Sequence, residues 1–338
     1  MPIDSLSTQQ RLTTFILQQF QEHCPGNNIK KLAGDASARQ YFRYVDRSDA
    51  SYILVAYPDS FDLKIFTYKQ IYNLLLKIEL PVPKLICMDG NLGIVLQEDL
   101  GNQSVLRVLP AATKDERQLI LSKAIDHIVT LQKTGPKALK PEYEASRSIL
   151  DEKKLRWELD FFYRHFLGCY RQIKVSREDL LNKELSKLTF QLSRYSPLLC
   201  HRDYHVRNLM SKNDQIYILD FQDTRWGPPL YDLVSLLKDS IELETGEILE
   251  YQNYYLNHST WKSNLPTPIT QDFDRQFHLT CIQRLLKALG TYGYQINTRG
   301  NPVYKQYIPK TMQRVFSSLK TLQEFPLIQS IVERELNL

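Results

Sequence analysis

The chain has 338 residues, of which 24% are charged and 43% hydrophobic, with a formal net charge of +5. That is the composition of a soluble protein with a real core, long enough for two domains or one large bilobal unit. It argues against a nucleic-acid binder, because Lys and Arg form no block, and against a membrane span, because no apolar run is long enough.

An amphipathic helix is predicted over 6–23, with Leu12, Phe15, Ile16 and Phe20 on one face and Cys24-Pro25-Gly26-Asn27 as its stop. Strand-like runs follow at Ile29–Leu32, Arg39–Val45 and Tyr52–Tyr57, with the small, polar loop Gly34-Asp35-Ala36-Ser37-Ala38 between the first two. The periodicity then predicts a helix over Lys64–Ile78, broken by Leu80-Pro81-Val82-Pro83. Two further strands, Lys84–Met88 and Gly93–Gln97, turn at Asp89-Gly90-Asn91. Glu98-Asp99-Leu100-Gly101 closes this small mixed region.

From there the pattern is helical almost throughout: 113–134, 148–166, 176–194, 230–240, 245–258, 270–292 and 303–324. The exception is a hairpin formed by the RNLM and IYILDF runs, which turns at Lys212-Asn213-Asp214. No internal repeat or low-complexity segment is present. The cysteines Cys24, Cys87, Cys169, Cys200 and Cys281 are dispersed without a C-x-x-C pair, which suggests a reducing compartment. The N-terminus carries no basic and apolar leader, so a cytoplasmic protein is expected.

The richest stretch surrounds this hairpin. His201, Asp203, Asn208, Asp220 and Asp232 stand in the order H-x-D-x-x-x-x-N followed by D. A loop entering a hairpin can hold one carboxylate at a substrate hydroxyl and a carboxamide with a second carboxylate at a magnesium ion. That division of labour serves phosphoryl transfer. Asp203 is the candidate base, and Asn208 and Asp220 the candidate magnesium ligands, since this ion needs few protein oxygens beside phosphates and water. Asp223 is either a second ligand or a solvated loop residue. Asp232, which opens an apolar helix, and His201 are expected to brace the loop. A transition-metal reading of His201-x-Asp203-x-His205 lacks a second cluster among His23, His127, His165, His258 and His278.

The HRDYHVRN, LDFQD and WGPPLYDL blocks resemble the aminoglycoside phosphotransferase and choline kinase superfamily. Within it they are most similar to the bacterial N-acetylmuramate/N-acetylglucosamine 1-kinases of cell-wall recycling. The resemblance extends to Gly34–Arg43 and to Glu98-Asp99-Leu100-Gly101, and so covers both halves of the chain. It implies an α+β, protein-kinase-like bilobal fold: residues 1–100 as a small mixed lobe with an antiparallel sheet and the hinge at its end, and 101–338 as a large helical lobe. It implies ATP and magnesium as cofactors and an amino sugar phosphorylated at its anomeric hydroxyl. Asp203 would then be the base, and Asn208 and Asp220 the metal ligands. The loop containing Ser37 would lie over the phosphates, and residues 97–100, among them Glu98, Asp99 and Leu100, would meet the adenine.

Two departures stand out. The third strand, Tyr52–Tyr57, carries no lysine for the α- and β-phosphates, so Arg39 or Arg43 is expected to supply the cation, with Arg43 preferred because it lies deeper in the strand. The phosphate loop holds one glycine instead of three. A protein kinase is disfavoured by Asp220-Phe221-Gln222 and the missing A-P-E segment. For the acceptor, Tyr204, His205 and Arg207 are candidates, together with the helix bearing Trp157, Glu158, Asp160 and Arg164. Other acceptors, such as an aminoglycoside, choline or homoserine, stay open, as does a non-catalytic kinase-like module. No nucleic-acid, membrane or obligate protein partner is expected.

Overall fold

The computed structural model describes residues 6–21, 28–32, 38–262 and 269–337. The predicted loop over the phosphates, with Ser37, and the predicted stop after the first helix lie outside them, apart from Ala38. Five strands, β1 (Ile29–Lys31), β2 (Gln40–Val45), β3 (Ser51–Ala56), β4 (Leu85–Asp89) and β5 (Ile94–Glu98), form an antiparallel sheet in the order β1-β2-β3-β5-β4.

The two-residue alternation of the strands divides the sheet into two faces. Leu54, Ala56, Ile94 and Leu96 face α1 (Thr8–Phe20), where they bury Leu12, Phe15 and Ile16. Ser7 begins that helix by accepting a hydrogen bond from the Gln10 N–H, while the Gln10 side chain accepts one from the Ser7 N–H. Ile53, Val55 and Val95 point the other way, toward α2 (Thr67–Lys77). The helical half shares their core: the Tyr68 ring of α2 sits 4.9 Å from Phe221.

The helical half comprises α3 (Val105–Val108), α4 (Lys114–Ala138), α5 (Glu152–Phe162), α6 (Glu178–Ser193), α7 (Tyr231–Lys238), α8 (Thr245–His258), α9 (Ile269–Asn297), α10 (Ile308–Leu322) and α11 (Pro326–Leu336). The helix expected from 148 starts later because Ser148 and Leu150 pair with Trp226 in extended form and Asp151 caps Lys154. It continues as a π-helical turn, Tyr163–Tyr170. α9 crosses that turn closely: a Cβ at Gly293 would lie 2.4 Å from the His165 carbonyl oxygen, so only glycine admits the approach. α11 is absent from the sequence reading, and its N-terminus is closed by Glu184, whose two oxygens accept the Leu327 and Ile328 N–H groups at 2.9 Å.

Two short ladders carry the motif. β6 (Leu198–Cys200) pairs with β9 (Arg225–Gly227), and β7 (Leu209–Lys212) with β8 (Gln215–Ile218). Asn213 and Asp214 turn the second ladder with φ of 50° and 60°, the left-handed pair that a two-residue hairpin needs.

Candidate active site

The loop between β6 and β7 is held in a strained form from behind. Arg202 has φ 83°, uncommon for a residue with a side chain. Asp232, fully buried at the start of α7, accepts the His201 N–H at 2.6 Å and the Arg202 N–H at 2.9 Å. Arg284 of α9 donates to the Arg202 carbonyl at 2.9 Å, and Arg202 itself pairs with buried Glu158 at 2.9 Å. The His201 Nε2 lies 2.8 Å from the Leu219 carbonyl, tying the loop to the strand that delivers Asp220.

Two cavities meet at this loop. One, of about 400 Å³, lies between the sheet and the helical half, lined by Arg39, Val55, Leu100, Asn208, Asp220 and others. The second, of about 360 Å³, is lined by Asp203, His205, Arg284, Lys287, Thr291, Tyr292 and others on the helical side. Arg39, Arg207, Asn208 and Asp220 line both cavities, whereas Asp203 lines only the second.

The side chains at this common wall are arranged for distinct tasks. Asn208 donates from its amide to the Asp203 carbonyl at 3.0 Å, and its side-chain oxygen has no hydrogen bond among the described residues. Asp220, with φ 60°, receives Arg39 at 2.5 Å and Gln222 at 3.0 Å, both on Oδ1. Asp203 receives Lys287 on Oδ1 at 3.1 Å, with Arg284 3.7 Å from the same oxygen. Burial pushes the Asp203 carboxyl up, but Lys287, then Arg284, Arg202 and His205, outweigh it and hold it well below the usual carboxylate range. Among the described residues no group of three His, Cys, Asp or Glu side chains is placed to hold a metal, so the His-x-Asp-x-His pattern does not assemble a transition-metal site.

Some expected site residues sit elsewhere. Tyr204 is 2% exposed and donates to the Ala124 carbonyl at 3.0 Å, behind the loop and away from the cavity, because an aromatic ring there fills the core. Arg43 does line the first cavity, but it makes a bidentate contact with Asp99 at 2.5 and 3.0 Å and donates to the Gly101 carbonyl at 3.1 Å. It fastens the hinge, and Arg39 is the strand arginine that reaches the Asp220 end, contrary to the preference for Arg43. Glu98 is likewise engaged, accepting from Lys212 at 2.7 Å. Glu158 is spent on Arg202 and Gln283, and Asp160 on Arg156, so neither lines the acceptor cavity; Trp157 stands exposed under Lys154.

His205 and Arg207 do line the second cavity, and Arg207 pairs with Asp239 at 3.0 Å. Sequence reasoning missed Asp239, Arg284 and Lys287. Asp239 accepts from both Arg207 and Arg284, and although burial opposes it, the charges of His205, Arg284 and Arg207 hold its carboxyl well below the carboxylate range. The available signal was a pair of cations three residues apart, Arg284 and Lys287, on a helix otherwise apolar at Cys281, Ile282, Leu285, Leu286 and Leu289.

An antiparallel sheet joined to a helical half, with an Asp-Asn-Asp loop between two cavities, defines a protein-kinase-like phosphotransferase. Residues 28–264 match the model of the phosphotransferase enzyme family, and the chain belongs to that family. Among curated proteins, it is 30% identical over 299 residues to an N-acetylmuramate/N-acetylglucosamine kinase of Pseudomonas aeruginosa, spanning 88% of this chain and 85% of that protein. A protein of the same name from Neisseria meningitidis is 30% identical over 306 residues, 89% of each chain. Among solved structures, the choline/ethanolamine kinase family protein from Mesorhizobium loti superposes with a TM-score of 0.62 at 13% identity, covering 97% of this chain and 100% of the other. The fold is therefore the α+β, kinase-like one, and the chain is an enzyme that transfers phosphoryl groups.

Proposed function

We propose that the chain transfers the γ-phosphoryl group of ATP, with magnesium, to the anomeric hydroxyl of N-acetylmuramate and N-acetylglucosamine. The observation that carries this reading is the wall shared by the two cavities, with Asp203 on one side of it only. The first cavity takes the nucleotide, its base against apolar residues such as Leu32, Ile53, Leu100, Met210 and Leu219. The second takes the acceptor, whose hydroxyl meets Asp203. The choice of acceptor rests on the names of the relatives and on the motif likeness described above.

Transfer forms a bond between the acceptor oxygen and the γ-phosphorus as the bond to the β,γ-bridging oxygen breaks. The electron pair of that bond leaves with ADP, and the hydroxyl proton goes to Asp203. The protein's contribution is mostly positioning and charge, because little covalent chemistry is asked of it. The side-chain oxygen of Asn208 and Oδ2 of Asp220, neither of them hydrogen-bonded among the described residues, are hard oxygen donors that suit magnesium. When bound there, the ion would neutralise charge on the phosphates. Arg39, at the junction of the cavities, supplies the cation that β3 lacks, since Val55 rather than a lysine faces the nucleotide cavity. Arg43, Ser51 and Lys212 hold the hinge through Asp99 and Glu98.

The test is the rate of phosphate transfer from ATP to a panel of N-acetylmuramate, N-acetylglucosamine, glucose, kanamycin and choline. Transfer to the two N-acetylated sugars well above the rest is expected. Transfer to kanamycin or choline alone would discard the sugar reading.

A further inference from the structure

We propose that Lys287 of α9 is the positioning residue for the catalytic base: it pins Oδ1 of Asp203, so that Oδ2 alone is presented to the acceptor hydroxyl. This rests on the reading of Asp203 as the base. The Lys287 ammonium lies 3.1 Å from Oδ1, and Asp203 is its sole hydrogen-bond partner among the described residues. The neighbouring carboxylate, Glu158, is occupied by Arg202 and Gln283, and Asp239 by Arg207 and Arg284. Among the described residues Asp203 Oδ2 takes no hydrogen bond.

An ammonium on a packed helix is costly to desolvate, and a leucine would fill the same space without that cost. Lys287 is retained in a segment flanked by the buried Leu285, Leu286 and Leu289, and its head lines the acceptor cavity. α9 thus grips the catalytic loop twice, one helical turn apart. Arg284 holds the backbone through the Arg202 carbonyl, and Lys287 holds the side chain of Asp203. A carboxylate free to turn about its last bond presents either oxygen to the acceptor, whereas one fixed by a neighbouring cation presents a single one in a productive orientation. Lys287 lies beyond residues 28–264, so the family match does not include it.

The experiment is a double-mutant cycle of Lys287→Met and Asp203→Asn, with Lys287→Arg beside it and nucleotide binding and melting temperature measured for each. Lys287→Met is expected to lower kcat on the order of 10²-fold with the KM for ATP unchanged. In the Asp203→Asn background the same change is expected to cost less than about twofold, because the group it orients is gone. Lys287→Arg should recover most of the lost kcat. An equal loss in both backgrounds would overturn the inference while leaving Asp203 as base. So would a rise confined to the KM for N-acetylmuramate, which would assign Lys287 to the acceptor's own carboxylate. Unimpaired turnover in Asp203→Asn alone would instead remove the base, and with it the reading on which this rests.

Discussion

The two walls of the transfer site are built in different ways. On the nucleotide side the cations come from β2 and its approach: Arg39, just before the strand, and Arg43 within it line the cavity together with the Tyr41 ring. On the acceptor side the charges are delivered by α9 and the end of α7, and they arrive in an interlocked set. Lys287 holds Asp203, Arg284 holds the Arg202 carbonyl and Asp239, and Asp239 in turn holds Arg207. Each strand-side arginine is tied to a carboxylate of its own, Arg39 to Asp220 and Arg43 to Asp99. In the helical wall the Arg284–Asp239 pair is buried, at 3% and 7% exposed, and it backs the contacts that hold Asp203 and Arg207. Specialisation toward one acceptor is therefore expected in the helical wall, and nucleotide affinity in the strand wall.

The largest effect is expected at the point where the walls meet. Asp203→Asn should lower kcat by about 10³-fold while leaving nucleotide affinity unchanged, since the replacement keeps the shape. Next comes the support behind the helical wall. Asp232→Ala leaves two loop N–H groups without their acceptor in a fully buried place. It should destabilise the protein by about 3 kcal/mol in urea unfolding and abolish transfer. A paired comparison separates the roles of the strand arginines. Arg39→Met should raise the KM for ATP about tenfold, the loss of one charge-assisted phosphate contact. Arg43→Met should leave that KM within about threefold but lower stability by about 2 kcal/mol, because it strips the hinge carboxylate of Asp99. Reversed results would exchange the two assignments.

The smallest effect concerns acid. The Asp239 carboxyl is lowered in the folded chain, with burial opposed by the charges of His205, Arg284 and Arg207. Its stabilisation is therefore complete above the unfolded value of about 3.9 and is lost as pH falls toward the folded one. The melting-temperature gap between the wild type and Asp239→Asn should be constant from neutral pH to about 4 and narrow below it.

What the sequence made legible follows the same division. The hairpin turn was readable because Asn213 and Asp214 tolerate φ above zero, and the catalytic loop because its residues fall within one short segment. The two arginines were readable as alternative sources of the missing cation, but not their partners, since Asp99 and Asp220 are far away along the chain. Tyr204 was misread as facing substrate because nothing local says that its ring turns back to Ala124. Lys287 and Asp203 lie 84 residues apart, and only the tertiary packing of α9 joins them. α11 escaped notice because its start depends on Glu184 of a distant helix. Local chemistry is written locally; a wall assembled from remote elements is not.

The measurement that bears most directly on the whole account is the position of the phosphate on the product, read by phosphorus NMR after incubation of N-acetylmuramate with ATP, magnesium and the enzyme. The account predicts a phosphate on the anomeric carbon, formed by the wild type and lost with Asp203→Asn. A phosphate on another hydroxyl, or an anomeric phosphate that forms undiminished in the variant, would contradict it.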